Sequence, residues 1–259
     1  MQLVLIVILA FVTGILVGLS GTGAGVLLTP ILLLVTPLRV LTVIGTDLMS
    51  GAVTKLAGVL VHRKVGQIRW DLAGYLLAGS IPGSVTSIAF IHFMQTRISM
   101  AQLDHAVKVL LGVTLFGVAL FLPYLRNRKR PFSAENANLR VSAAGLKLVA
   151  VGAVVGFLVS MTSVGSGSLL MIALLALVPL PIGSLVGTDL LFGLVTTALA
   201  GSLHWGMGNF NTSLFLVLVA GEVPGVIIGS RLTRWVPERV FTWIFSIFYL
   251  LLGARLLTG

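Results

Sequence analysis

Gly45-Thr46-Asp47-Leu48 and Gly187-Thr188-Asp189-Leu190 are one tetrapeptide written twice in the same chain, 142 positions apart. Outward from it, the register holds without a gap over roughly seventy residues. Upstream, Gly14-Ile-Leu-Val matches Gly156-Phe-Leu-Val, and Gly23 and Gly25 match Gly165 and Gly167. Downstream, Thr54 recurs as Thr196, His62 and Gly66 as His204 and Gly208, and Gly79, Pro82 and Gly83 as Gly221, Pro224 and Gly225. The chain is therefore read as two copies of one unit, residues 1–125 and 142–259. A basic linker, 126–141, joins them and carries Pro131, Ser133 and several Asn.

The copies are membrane units. With 57% hydrophobic and 9% charged residues and a mean hydropathy of +1.11, the chain lies far outside the soluble range. Apolar runs at 1–19, 40–61, 72–93, 107–125, 214–228 and 240–257 suit a hydrocarbon core of roughly 30 Å. The first run has neither a basic leader nor a small-residue cleavage site, so a retained helix is expected rather than a signal peptide. No cysteine occurs, which excludes disulfides and thiolate chemistry. The net charge of +10 comes mostly from the ends of apolar runs, which points to topology and anionic lipid headgroups and away from nucleic acid.

Each copy opens with an apolar segment interrupted by small residues: Ser20-Gly21-Thr22-Gly23-Ala24-Gly25 in the first, Ser160 to Ser168 in the second. Glycine disfavours helix by about 1 kcal/mol per residue. Non-helical backbone survives at membrane depth only within protein or beside a watery cavity. Freed N–H groups and a partial positive charge at broken helix ends suit an oxyanion. The candidate substrate-binding residues are therefore Ser20, Gly21, Thr22, Gly23, Gly25, Thr162, Ser163, Gly165, Ser166 and Gly167. Close helix packing, as at Gly14-xxx-Gly18, is the competing explanation for these glycines.

Charge counting bears on topology. If each broken segment crosses once, the repeats are parallel and the basic residues split ten against five between the two sides. If each folds back as a hairpin, the repeats are inverted and the split becomes twelve against three, with Lys55 and Lys108 uncounted inside the membrane. The second arrangement satisfies the positive-inside rule better, with the linker cytoplasmic and both termini outside. The expected fold is an all-α polytopic membrane protein of two inverted repeats. Each would hold a Gly-broken first segment and three transmembrane helices, as carriers that alternate access do.

Asp47 and Asp189 fall near the starts of apolar helices, where an N-cap competes with a coupling or gating role. Thr54 and Thr196 lie seven residues on, on the same helix face, and join the candidate substrate-binding residues. Lys55 is mid-helix opposite the neutral Thr197, and a lysine at that depth needs a partner or water. It too is a candidate to bind the anion, with pairing to Asp47 or snorkelling as the competing explanations. Glu222, beside Pro224 in an apolar run with Ser80 as counterpart, is a candidate for proton coupling or for locking helix packing. His62 and His204 read as interfacial anchors or as partners of the helix C-terminal dipole, and Trp70, Trp205, Trp235 and Trp243 as belt residues. No histidine spacing suits a metal and no phosphate-binding loop occurs, so neither metal, cofactor nor ATPase is expected.

The paired glycine breaks, the repeated Gly-Thr-Asp-Leu and the closing Gly221-Glu-Val-Pro-Gly-Val-Ile-Ile-Gly-Ser-Arg-Leu resemble the sulfite exporter TauE/SafE family of membrane permeases. The run Gly45-Thr46-Asp47…Thr54-Lys55…His62 is similar to one branch of it. Two features depart from the family's pattern: the breaks read Gly-Ala-Gly and Gly-Ser-Gly-Ser, and Pro30 has Ile172 as counterpart. The resemblance implies transport of small sulfur oxyanions or sulfonates across a bacterial inner membrane. The implied partners are a small anionic substrate and lipid, with homo-oligomerisation left open. A passive anion channel is one alternative. An intramembrane hydrolase using Ser166 with His204 is another, but the repeat puts Ala24 at the serine position while keeping His62.

Overall fold

In a computed structural model the chain is described at residues 2–20, 25–64, 66, 68–126, 141, 143–232 and 238–258. Most of the described residues are helical, and none of them is in a strand. The first repeat supplies α1 (Gln2–Ser20), α2 (Gly25–Val35), α3 (Val40–Lys64), α4 (Trp70–Gln95) and α5 (Met100–Arg126). The second supplies α6 (Gly145–Thr162), α7 (Leu169–Leu177), α8 (Ile182–Gly206), α9 (Thr212–Leu232) and α10 (Glu238–Thr258). Among the described residues, α3, α4, α5, α6, α8 and α9 each contain a stretch long and apolar enough to cross a membrane. The protein is a multi-pass membrane protein. Its exposed side chains include Leu120 at 63% and Val154 at 60%, which lipid satisfies and water would not.

The repeats interlock instead of packing as separate halves. The most extensive interfaces are α1 with α9 and its equivalent α6 with α4, followed by α3 with α8 and α5 with α10. Small residues allow this. A Cβ on Gly14 would lie 2.6 Å from the Glu222 carbonyl oxygen, and one on Gly156 2.7 Å from that of Ser80. Glu222 and Ser80 are themselves repeat equivalents, so the same backbone contact is made twice. Gly221 approaches Val7, Ala10 and Phe11 as Gly79 approaches Val149 and Ala153. Lipid offers little hydrophobic drive between helices, and such close backbone approach supplies van der Waals contact instead.

The register of α3 against α8 gives their relative direction. Lys55 lies against Gly193, Gly58 against Leu190, and Met49 against Gly201. Numbers rise on one helix as they fall on the other, so these equivalent helices are antiparallel. Gly112 against Leu257 and Phe116 against Gly253 make α5 and α10 antiparallel too. Equivalent positions of α3 and α8 come level near Thr54 and Thr196. Asp47 and Asp189 therefore sit on opposite sides of that level, about 10 Å away along each axis at 1.5 Å per residue.

The second break is a reversal. Ser163 ends α6 in the left-handed region at φ 60, its N–H donating to the Val159 carbonyl at 2.7 Å. Gly165 and Gly167 follow at φ 139 and 95, conformations only glycine adopts without strain. A Cβ on Gly165 would lie 2.9 Å from Val159 and 3.8 Å from Val155. The chain has doubled back along α6 before α7 begins. In the first break, Gly21, Thr22 and Gly23 lie outside the described residues, as does most of the linker.

Candidate functional site

The repeated Thr-Asp pair carries two separate tasks. Thr46 accepts a hydrogen bond from the Asn211 N–H at 3.0 Å, and Thr188 accepts one from the Arg69 N–H at 3.1 Å. Asn211 and Arg69 are repeat equivalents, so each threonine ties down the hairpin of the opposite copy. Neither aspartate is an N-cap: α3 begins at Val40 and α8 at Ile182, leaving both carboxylates inside their helices and buried. They reach the second break instead. Asp47 Oδ2 accepts hydrogen bonds from the hydroxyls of Ser163 (2.6 Å) and Thr29. Asp189 Oδ1 accepts the Gly167 N–H at 2.9 Å.

Two more polar groups from α3 join them. Thr54 donates to the Ser50 carbonyl at 2.9 Å and to Glu222 Oε2 at 3.1 Å. Lys55 is 5% exposed, its stem running over Gly193, where a Cβ would lie 2.7 Å from Lys55 Cε and 3.2 Å from Ser166 Cβ. Its ammonium lies over Gly51, 3.5 Å from where a Cβ would stand, one turn from Asp47. Asp189, Asp47 and Glu222 all act on it electrostatically, yet it forms no contact ion pair. The ion pair formed among the described residues is Arg69–Asp71 at the surface, 2.6 Å long.

Buried within the fold, the reversal Ser163–Ser168 thus lies against Lys55 and the carboxylates of Asp47 and Asp189, from α3 and α8, with Glu222 of α9 joined to α3 through Thr54. Thr196 meets Ser80 at 2.6 Å at the position equivalent to Thr54 and Glu222. Thr162 is occupied locally, donating to the Leu158 carbonyl at 2.7 Å and accepting the Val164 N–H at 3.2 Å. Gly25 begins α2, and Ser20 ends α1. Ser168, whose hydroxyl the sequence also offers as a donor at the break, is fully buried and without a hydrogen-bond partner. Thr29 and Ser50 are functional candidates that the sequence reading misses. The repeat offset marks both, because their counterparts are Met171 and Phe192.

His204 departs from the expected interfacial anchor. It is fully buried, with Nε2 2.9 Å from the Ser160 carbonyl oxygen, and Gly45 packs on its Cβ. That bond ties the end of α8 to α6 just before the break. It also directs the ring to Ser160 and not to Ser166, the serine of the hydrolase alternative. The side chain of His62 lies outside the described residues. Trp205 is 60% exposed beside Phe210 and Trp70 equally so, as belt residues are. Among the described residues no three of His, Cys, Asp and Glu are grouped to hold a metal ion.

The chain is similar to two Bacillus subtilis proteins named probable membrane transporter proteins. YjnA is 33% identical, covering 97% of this chain and 98% of the relative, and YunE is 25% identical, covering 99% and 98%. A Xylella fastidiosa protein with the same description is 26% identical over 85% of this chain and 80% of its own length. No solved structure matches. Residues 6–256 match the family model described as sulfite exporter TauE/SafE, with the paired breaks and Gly-Thr-Asp-Leu motifs inside the match. This chain belongs to the sulfite exporter TauE/SafE family.

Proposed function

We propose that the protein is a secondary transporter of small sulfur-containing anions, such as sulfite or organosulfonates, in the bacterial inner membrane. It works by alternating access between its two repeats and is coupled to protons. One observation carries this: the buried lysine Lys55 lies beside the backbone reversal Ser163–Ser168 without a contact ion pair, so its ammonium is available to an anion. Gly193 leaves the room in which the Lys55 stem and Ser166 meet. Backbone amides around a reversal add donors without adding a second buried charge. The antiparallel run of α3 against α8 supports an inverted relation between the repeats, the architecture that lets one half rock against the other about a central site.

The carboxylates set the coupling. Asp47, Asp189 and Glu222 outnumber the single ammonium, so an anion approaching Lys55 meets a net negative surround until protons reach the cluster. Proton uptake and anion binding are then linked. The test is flux of sulfite, sulfate, thiosulfate and small sulfonates into liposomes carrying the purified protein, with and without a pH gradient. Uptake of sulfite or a sulfonate that follows the gradient supports the proposal. Absence of movement of every one of them overturns the substrate class.

A further inference from the structure

We propose that Asp47 and Glu222 form a site for one small monovalent cation, a proton or a sodium ion, on one side only of the pseudo-twofold relation. The site serves the carrier reading as its coupling element, but its own evidence is separate.

Both carboxylates are at most 1% exposed and each is half satisfied. Asp47 Oδ2 holds the hydroxyls of Thr29 and Ser163, and Glu222 Oε2 holds that of Thr54. Asp47 Oδ1 and Glu222 Oε1 are buried with no hydrogen-bond partner. The two groups lie close enough to act on each other electrostatically, and the Ser50 hydroxyl beside them donates to the Asp47 backbone carbonyl at 3.1 Å. Two buried acceptor oxygens left open, with their partner oxygens already held by hydroxyls, call for a shared positive centre. A proton bridging them or a hard oxygen-seeking cation both supply it.

The repeat provides an internal control. Every oxygen that distinguishes this side is exchanged in the other copy: Thr29 for Met171, Ser50 for Phe192, and Glu222 for Ser80. Met171 and Phe192 are buried in the apolar core, and Ser80 bonds with Thr196. Among the described residues, Asp189 accepts its hydrogen bond from the Gly167 N–H and so serves the backbone reversal. The duplicated fold thus carries an unduplicated site.

The other charged groups facing it are Lys55 and Asp189. With all four charged, the cluster holds three negative charges against one positive. Such an excess in the membrane interior is costly, and each bound cation reduces it.

The test follows thermal unfolding of the full chain in detergent with no sulfur anion present. Sodium chloride is exchanged for choline chloride at constant ionic strength, at acid and at alkaline pH. A melting temperature raised by about 5 °C or more by sodium identifies sodium; a similar rise on acidification, indifferent to sodium, identifies the proton. Either response should disappear in Glu222→Gln and Asp47→Asn and persist in Asp189→Asn. If Glu222→Gln does not fold, Thr29→Val carries the test, with the midpoint of the response shifted about tenfold. No response in the wild-type chain overturns the site, as does a response that survives both Glu222→Gln and Asp47→Asn. Equal loss in Asp189→Asn overturns its one-sidedness. Because no anion is present, failure here is distinct from failure of anion flux.

Discussion

Thr54 donates a hydrogen bond to Glu222, and 142 residues on, Thr196 makes the equivalent contact with Ser80. One interaction is thus made twice, with a carboxylate in one copy and a hydroxyl in the other. The duplicated scaffold holds both, and the chemistry resides in the difference.

An inverted relation of the repeats has a direct test at Arg63 and Trp205, equivalent positions that are both exposed. The native chain has no cysteine, so Arg63→Cys and Trp205→Cys each present one thiol. In cells, a membrane-impermeant maleimide should label Trp205→Cys from outside and Arg63→Cys only after permeabilisation. Labelling of both from the same side would mean parallel repeats.

Lys55→Met should lower the initial rate of sulfite uptake into liposomes by about tenfold or more. It removes the one ammonium of the cluster while nearly keeping the volume over Gly193. A buried charge that loses its counter-charge typically costs 3–5 kcal/mol, so stability should fall as well. Lys55→Arg, which keeps the charge but not the shape, separates the two effects. Flux in Lys55→Met equal to the native rate would remove lysine from the site.

Gly156→Leu and Gly14→Leu should behave alike, since each glycine meets the backbone of its equivalent partner within 2.7 Å of an added Cβ. Overpacking of this kind costs roughly 1–3 kcal/mol, and rigid backbone on both sides puts these changes at the upper end. The measurement is the melting temperature and the monodisperse fraction on size exclusion. Gly74→Leu, where a Cβ meets nothing within 4 Å, should leave both near native values.

His204→Phe should destabilise the fold by about 1–3 kcal/mol, because it strands the buried Ser160 carbonyl that Nε2 now meets. His204→Gln, which can still donate, should recover part of the loss. In both variants the residual flux, normalised to folded protein, should keep its substrate preference. A changed preference would place His204 in the site itself.

Gly165→Ala tests the reversal. At φ 139 an L side chain is strained, and its Cβ would press on Val159 at 2.9 Å. Leaving the left-handed region to glycine avoids about 1–2 kcal/mol, so the variant should lose at least that in chemical unfolding. Ser163→Gly relieves its own φ of 60 but removes the hydroxyl from Asp47. It should keep stability better than flux.

The linear pattern alone determined the membrane class, the duplication and the position of the breaks. These follow from local composition and from a register that survives without folding: apolar run length, glycine placement and a constant offset. It also selected Asp47, Asp189, Lys55 and Glu222, because a charge inside an apolar run stands out before any contact is known. Only the tertiary structure decided what these residues meet. Some partners lie more than a hundred positions away, as with Ser163 on Asp47 and Thr54 on Glu222, and others come from a neighbouring segment, as with Thr29 on Asp47 and Gly167 on Asp189. His204 shows the limit from the other side: a helix-end histidine beside tryptophan looks interfacial by sequence, and packing against Gly45 and Ser160 buries it. Burial is a property of which helices meet, and interlocking copies bring together residues that no local pattern pairs.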